Sequence, residues 1–417
     1  MSNTYDLSKI IKQNVIRPDN NFEHIINFFM KTDKNNIQMK YLDIIRSDES
    51  CDKILGKGYN GTAFIPSVNN YIKKKLDDKK IKIPVVIKTE HHGTDIQFNI
   101  INNILYIWSQ HNITLEAIIL MLVKKLTKYS VNLPTIFSYG ICEDKKYINK
   151  MVSLRHGLPI PIEIRIDNFF TRSNLWNGKP HINIFTSSLS NVYELITYIL
   201  YFSNDGMIML PNGIECDVID LFDQICISYL VTYKLLTDNN IFPSDFHPGN
   251  IFIHWLNTSS YYNNRYIGNI KKITYKIIDK YYEINTFGMI FILGDIGNSI
   301  VKIKDDVILI GCLGAENQIN HLDIMFNPNY MNTEFFDMLR SSIPTKIFDK
   351  LIINKIYFEY PYNEFVNTHK GIIEYPDKIS HIKDRKNVEQ LLEYFNKYSV
   401  PNYTDDNNNV LIEIKKY

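Results

Sequence analysis

Apolar positions along this chain change their spacing twice. Through the first fifty residues they recur at helical intervals, around Phe22–Met30 and again around Gln38–Arg46, with the polar stretch Lys31–Asn36 between them. Two short amphipathic helices are expected there. From Ile54 the runs become short and strand-like: CDKILG, TAFIP and IKIPVVIK. The Lys-rich KKKLDD of residues 73–78, followed by Lys79 and Lys80, sits among them and reads as a solvated hairpin insertion. Thr114 has the chemistry of an N-cap, and Leu115–Leu126 carries apolar residues at helical spacing. Strand-like runs follow at Thr135–Cys142, Ile162–Ile166 and His181–Phe185. Helical spacing returns over Val192–Phe202 and over Asp217–Leu236, where Val218, Leu221, Phe222, Ile225, Leu230 and Val231 form one stripe. The polar tail Tyr403–Asn409 predicts a mobile segment.

A β-rich half containing one helix thus precedes a mostly helical half. That order predicts an α+β fold, not an alternating parallel sheet. The expected boundaries are an N-terminal helical extension over 1–50, a β-rich unit over 51–186, and a mainly helical unit with a C-terminal extension over 187–417.

Composition narrows the field by exclusion. A 45% hydrophobic and 22% charged chain of 417 residues can bury a sizeable core. A formal net charge of +1 gives no global field that would draw it to nucleic acid or to a membrane surface. The five cysteines, Cys51, Cys142, Cys216, Cys226 and Cys312, form no C-x-x-C pair, which argues for a reducing compartment and against a zinc site. The N-terminus lacks an apolar core of signal-peptide length, and no run of eighteen apolar residues occurs, so neither a leader nor a membrane span is expected.

Four short motifs carry the chemistry. Gly56-Lys57-Gly58-Tyr59-Asn60-Gly61 matches G-x-G-x-x-G. A dinucleotide-binding loop would run from a strand into a helix. Here Thr62-Ala63-Phe64-Ile65 is strand-like, so the loop joins two strands, as a kinase phosphate loop does. The glycines would let backbone N–H groups approach phosphates, with Ala63 against an adenine; a plain turn is the alternative. Val85-Val86-Ile87-Lys88 ends the next strand, where a kinase needs a cation for the α- and β-phosphates. Glu116, in the following helix, is the candidate carboxylate to orient Lys88, or else a first-turn residue complementing the helix dipole.

Asp245-Phe246-His247-Pro248-Gly249-Asn250 follows the long helix and precedes an apolar run. This D-x-x-x-x-N spacing offers a proton acceptor, Asp245, and a hard-oxygen magnesium ligand, Asn250. Met289–Leu293 is a buried-strand run leading into Gly294-Asp295-Ile296-Gly297, a D-x-G whose aspartate would bridge magnesium to the phosphates. Ile277-Ile278-Asp279 is a decoy, because no glycine follows two residues later. The four motifs stand in the order this chemistry requires.

With these residues the chain resembles the protein kinase superfamily, and more narrowly the serine/threonine-protein kinases assigned to giant DNA viruses related to mimiviruses. His247 stands two after Asp245, as in that group. The stretch Tyr275–Ile278 with Tyr282–Phe291 is similar to the β-hairpin those kinases insert before D-x-G, and Phe335–Arg340 looks like their buried helix behind the catalytic loop. The resemblance covers about residues 54–345. It implies a bilobal kinase-like fold, ATP and Mg2+ as cofactors, and transfer of the γ-phosphate to Ser or Thr of a viral or host protein. It also implies His247 near the γ-phosphate, and a location in host cytoplasm or virion. Pro243 and Ser244 replace the histidine and arginine that cellular kinases place before the aspartate, and no A-P-E follows. Without that arginine, an activation-segment phosphate has no evident receptor. The D-F-H-P-G-N wording is also similar to aminoglycoside and choline kinases, so a small-molecule kinase and a non-catalytic binding scaffold stay open as alternatives.

Overall fold

The computed structural model describes residues 53–57, 61–65, 71–76, 79–84, 86–91, 96–109, 119–120, 122–134, 136–142, 162–167, 191–203, 205–243, 245, 247–256, 260–262, 265–304, 307–311, 334–354, 387–405 and 408–414. The expected helices before residue 50, the strand at His181–Phe185, Gly58 and Glu116 lie outside these residues.

Among the described residues the first part is mostly strands, with helical residues at 119–120 and 122–124 inside the expected helix. The strands are β1 (Lys53–Lys57), β2 (Gly61–Ile65), β3 (Tyr71–Leu76), β4 (Lys79–Pro84), β5 (Val86–His91), β6 (Ile96–Ile101), β7 (Ile104–Ser109), β8 (Ile136–Cys142) and β9 (Ile162–Asp167). Then come helix α1 (Val192–Phe202), β10 (Met207–Met209), β11 (Glu215–Asp217) and the long helix α2 (Val218–Asp238). The D-x-x-x-x-N loop is framed by β12 (Ile241–Pro243) and β13 (Ile251–Trp255). After the short pair β14 (Tyr261–Tyr262) and β15 (Arg265–Tyr266) come β16 (Lys272–Ile277), β17 (Lys280–Asn285) and β18 (Met289–Leu293). Next are β19 (Ser299–Lys304) and β20 (Val307–Ile310). The remainder is α3 (Glu334–Ser342), α4 (Thr345–Phe348), α5 (Val388–Leu392), β21 (Ser399–Val400) and β22 (Asn409–Ile414).

Mixed α and β content is therefore observed, and the described residues of the second part are not mainly helical. Among the described residues, β10 to β22 all fall after residue 187. Period-two alternation explains much of this: in β13 the burial runs buried, intermediate, buried, and Ile273, Tyr275 and Ile277 of β16 all face inward. The run IKIPVVIK, which reads as one strand, is divided at Val85. β4 pairs with β3 in a separate hairpin, while β5 joins the sheet β1-β2-β5-β9-β8. The Lys-rich stretch does form the expected antiparallel hairpin, with Lys73 opposite Lys82 and Lys75 opposite Lys80.

Helix α2 is the core element. Asp217 caps it, its carboxylate accepting from the backbone N–H of Ile219 (2.8 Å) and of Asp220 (2.9 Å). It ends where Asn240 adopts φ +61°, a left-handed turn that asparagine tolerates. Apolar residues are buried all round it, from Val218 to Leu236, so it is a central helix and not a surface one. Tyr229 stacks on Phe335 of α3 at 4.5 Å between ring centroids and meets Phe336 edge-on at 5.2 Å. No helix among the described residues is long and apolar enough to cross a membrane.

One buried side chain on α2 has no partner. Gln224 is 1% exposed, and neither its Nε2 nor its Oε1 makes a hydrogen bond. Burying an amide without compensation costs free energy, so Gln224→Leu, nearly equal in volume, should stabilise the protein by about 1 kcal/mol. A lower denaturation midpoint in this variant would show that the amide is satisfied in solution.

A four-stranded sheet, β21-β17-β16-β22, covers the far side of the core. The expected hairpin before D-x-G is β16–β17, turning through Ile278 at φ +55°. The C-terminal segment then adds β22 parallel to β16, with Lys272 opposite Asn409. This corrects the expectation of a mobile tail at its end: Asn409 is 1% exposed, and its Nδ2 donates to the Thr274 hydroxyl at 2.9 Å. A run of asparagines has no apolar signal, yet the last of them fills a buried polar niche.

Candidate functional site

The site forms at the end of the β13–β18 ladder. These strands pair antiparallel with Ile251 opposite Leu293, so the residue before one and the residue after the other meet. The Gly294 N–H donates to the Asn250 carbonyl at 2.8 Å. The D-x-x-x-x-N and D-x-G motifs, 45 positions apart, are thereby brought together. The residues in between leave as the β16–β17 hairpin and return.

The ladder is anchored from behind by Asn132, itself 1% exposed. Its Nδ2 donates to the Phe291 carbonyl at 2.7 Å, and its carbonyl accepts from the Leu293 N–H at 2.9 Å. Its Oδ1 accepts from the Tyr275 hydroxyl at 2.9 Å. Tyr275 is fully enclosed, and burial pushes its hydroxyl pKa up to about 12, so it stays a neutral donor.

Within the loop, the Asn250 Nδ2 donates to the Asp245 carbonyl at 2.9 Å, closing the loop across its five-residue span. That bond turns the other end of the amide, Oδ1, away as the atom available to a hard cation. The His247 Nδ1 accepts from the Gly249 N–H at 3.1 Å, so the ring caps the 3-10 turn Pro248–Asn250. In its neutral form the ring proton is then on Nε2, which lies 3.9 Å from the Asp245 Oδ1, beyond hydrogen-bond range. A Cβ at Gly249 would come within 2.8 Å of the His247 ring, so a larger residue there would push the ring aside. Helix α3, the helix expected behind the loop, lies beside this turn.

Asp295 adopts φ +48°, a left-handed backbone that a non-glycine residue reaches only at a cost of roughly 1–3 kcal/mol. Such strain concentrates at functional sites, and Asp295 carries it within the D-x-G itself. The decoy Asp279 lies exposed in the turn between β16 and β17. Asp295 and Asn250 supply oxygen donors of the kind magnesium prefers, and this donor set fits that ion. No cluster of three or more His, Cys, Asp or Glu side chains able to hold a metal occurs among the described residues.

In the β1–β2–β5 sheet the sequence-predicted phosphate elements fall into one row. Gly56 is opposite Ala63, and Ala63 is opposite Lys88, with Arg165 of β9 next in line. Gly61 opens β2 opposite Glu90. The register of β1 and β2 shifts between Ile54 and Gly56, a bulge at the mouth of the glycine loop.

One residue escaped the sequence reading. The Asn298 Nδ2 donates to the Asp245 Oδ2 at 2.8 Å. An asparagine after D-x-G has no recognisable spacing to the loop; only the pairing of β12 with β19 reveals it.

No family model matches the chain, and no curated protein matches it. Among solved structures it is similar to a MAP kinase of Leishmania major, LmaMPK10, at 12% identity with a TM-score of 0.24. The match covers 51% of this chain and 45% of that one, so the chain spans less than half of that kinase's length. A likeness this loose establishes neither fold nor activity.

Proposed function

We propose that the chain is an ATP-dependent phosphotransferase of the protein-kinase type, bilobal, acting on Ser or Thr of a protein. The observation that carries this reading is the meeting of Asn250 and Gly294 at the end of the β13–β18 ladder. That meeting joins the loop of Asp245 and Asn250 to the D-x-G of Asp295, which supports a shared site for a carboxylate and two oxygen donors. The lysine strand β5 and the glycine hairpin β1–β2, neighbours in one sheet, would supply the partners for the nucleotide phosphates.

In this reading Lys88 binds the α- and β-phosphates, with Glu116 to orient it, and the loop from Gly56 through Gly58 to Gly61 covers them. Asn250 and Asp295 would hold Mg2+, which would neutralise charge on the β- and γ-phosphates. Asp245 accepts the proton of the acceptor hydroxyl, and His247 sits near the transferred group. The resemblance to giant-virus kinases supports a viral protein working in host cytoplasm or virion.

The first test is nucleotide binding. Magnesium-ATP should raise the melting temperature, since a ligand that binds only the native state stabilises it. Asp295→Asn should remove most of the magnesium dependence of that rise. An unshifted wild type would sink the nucleotide site, and an unchanged magnesium response in the variant would remove Asp295 from the metal.

A further inference from the structure

We propose that Asn298 is a positioning residue for phosphoryl transfer, holding the Asp245 carboxylate in its proton-accepting orientation. The proposal rests on the kinase reading of the site. Asp245 presents two oxygens. Oδ2 accepts the Asn298 amide at 2.8 Å, whereas the His247 Nε2 stands 3.9 Å from Oδ1. The first is a full hydrogen bond to an ionised acceptor, the stronger kind, and the second is not a bond. Asn298 therefore sets the rotation of the carboxylate and leaves Oδ1 as the basic atom.

The backbone around Asn298 is held for this task. β12 pairs with β19, and Pro243 is directly opposite Ser299. Asp245 lies two residues beyond one member of that pair and Asn298 one residue before the other. A single register thus places both ends of the bond. Ser299 is fully buried; its hydroxyl donates to the Ile296 carbonyl at 2.6 Å, and its carbonyl accepts from the Gly311 N–H at 2.9 Å. Gly311 passes so close that a Cβ there would lie 2.0 Å from the Gly297 carbonyl oxygen. Onward, β19 turns into β20, which pairs parallel with β7, so the sheet β12-β19-β20-β7-β6 ties this segment to the chain just after the Lys88 strand. Where Pro243 and Ser244 leave no arginine to receive a phosphate, strand pairing orders the segment after Asp295.

The test is a double-mutant cycle read in steady-state kinetics. Asn298→Leu matches the side chain in shape but donates nothing. A misplacement of about 1 Å costs up to about 10²-fold, so kcat should fall by roughly 10–10²-fold. KM for ATP should stay within about twofold, because the nucleotide contacts are elsewhere. In an Asp245→Asn background the same substitution should cost little more, because its effect passes through that carboxylate. Asn298→Ser, too short to reach Asp245 and small enough to fold, should repeat the loss. Wild-type kcat in Asn298→Ser, an equal loss in the Asp245→Asn background, or a rise in KM alone would each overturn the role of Asn298 while leaving the kinase reading intact. A wild type that transfers phosphate to no acceptor would overturn both.

Discussion

Asp245→Asn should lower phosphoryl transfer to a protein hydroxyl by about 10²–10⁴-fold, the usual contribution of a positioned general base. Stabilisation by magnesium-ATP should be unchanged. The bonds at this position explain why the two effects separate. Asn250 donates to the backbone carbonyl of residue 245, which the substitution keeps. Asn298 donates to the side-chain Oδ2, and the new amide can present its oxygen to that donor. The loop therefore keeps its shape while the basic oxygen is lost. Activity confined to small hydroxylated acceptors in the wild type would move the assignment to the small-molecule kinases. A wild type that binds ATP but transfers nothing, with Asp245→Asn identical to it, would make the chain a binding scaffold.

Local signals in the sequence read well where one residue pattern decides one element. Val192–Phe202 is helical over the span its spacing predicts, and the buried stripe of α2 includes each of Val218, Leu221, Phe222, Ile225, Leu230 and Val231. Signals that depend on distant pairing were not legible. The hairpin β6–β7 has no turn signature of glycine or proline; it turns through Asn102 and Asn103 at φ +52° and +65°. Its partner, β20, lies some two hundred residues further on. The final strand β22 likewise makes sense only beside β16. The second part was read as mostly helical because α2 dominates the periodicity, while its strands are short and separately weak.

The site divides along the same line. Asp245, Asn250 and Asp295 could be picked out because each stands at a fixed offset from an apolar run that becomes β13 or β18. Asn298 could not, because what brings it to Asp245 is the opposition of Pro243 and Ser299 across two strands. His247 shows the reverse case. Its place in the motif suggested a contact to phosphate, yet its Nδ1 is occupied in capping the turn that presents Asn250. Only Nε2 remains to meet a ligand.

Lys397→Met should destabilise the fold by about 2 kcal/mol at neutral pH, and the loss should shrink in acid. The Lys397 Nζ lies 2.9 Å from the Asp223 Oδ2 and 3.0 Å from the Asp220 Oδ1, both on α2. Asp223 is fully buried, and the Ile352 N–H is its other donor at 3.2 Å, because the single proton of the Tyr398 hydroxyl goes to Asp220 at 2.8 Å. The two carboxylates shift in opposite senses. Burial dominates at Asp223 and raises its pKa in spite of Lys397. At the half-exposed Asp220 burial also acts upward, but the hydrogen bonds from Tyr398 and Lys397 outweigh it and the net is down. Removing one partner of a buried pair costs about 3–5 kcal/mol, and Lys397, 46% exposed, warrants a discount for solvent screening. The sign with pH follows from linkage. A carboxylate whose folded pKa lies above its unfolded value costs stability as pH rises between the two. Without the cation that restrains it, Asp223 moves further up, so the penalty in the variant grows over the lower-pH side of neutrality and vanishes once Asp223 is protonated in both states. Asp220 reinforces this: its contribution is present above the unfolded carboxylate pKa and is lost as pH falls through its depressed folded one. Urea denaturation of wild type and variant at several pH values would measure the difference, and Asp223→Asn combined with Lys397→Met should recover most of it. A difference that does not change with pH would mean that Lys397 acts through packing of its stem and not through Asp223. Because α2 runs into β12 and the Asp245 loop, a pH-dependent difference would place the charge under α2 among the forces that hold that loop in position.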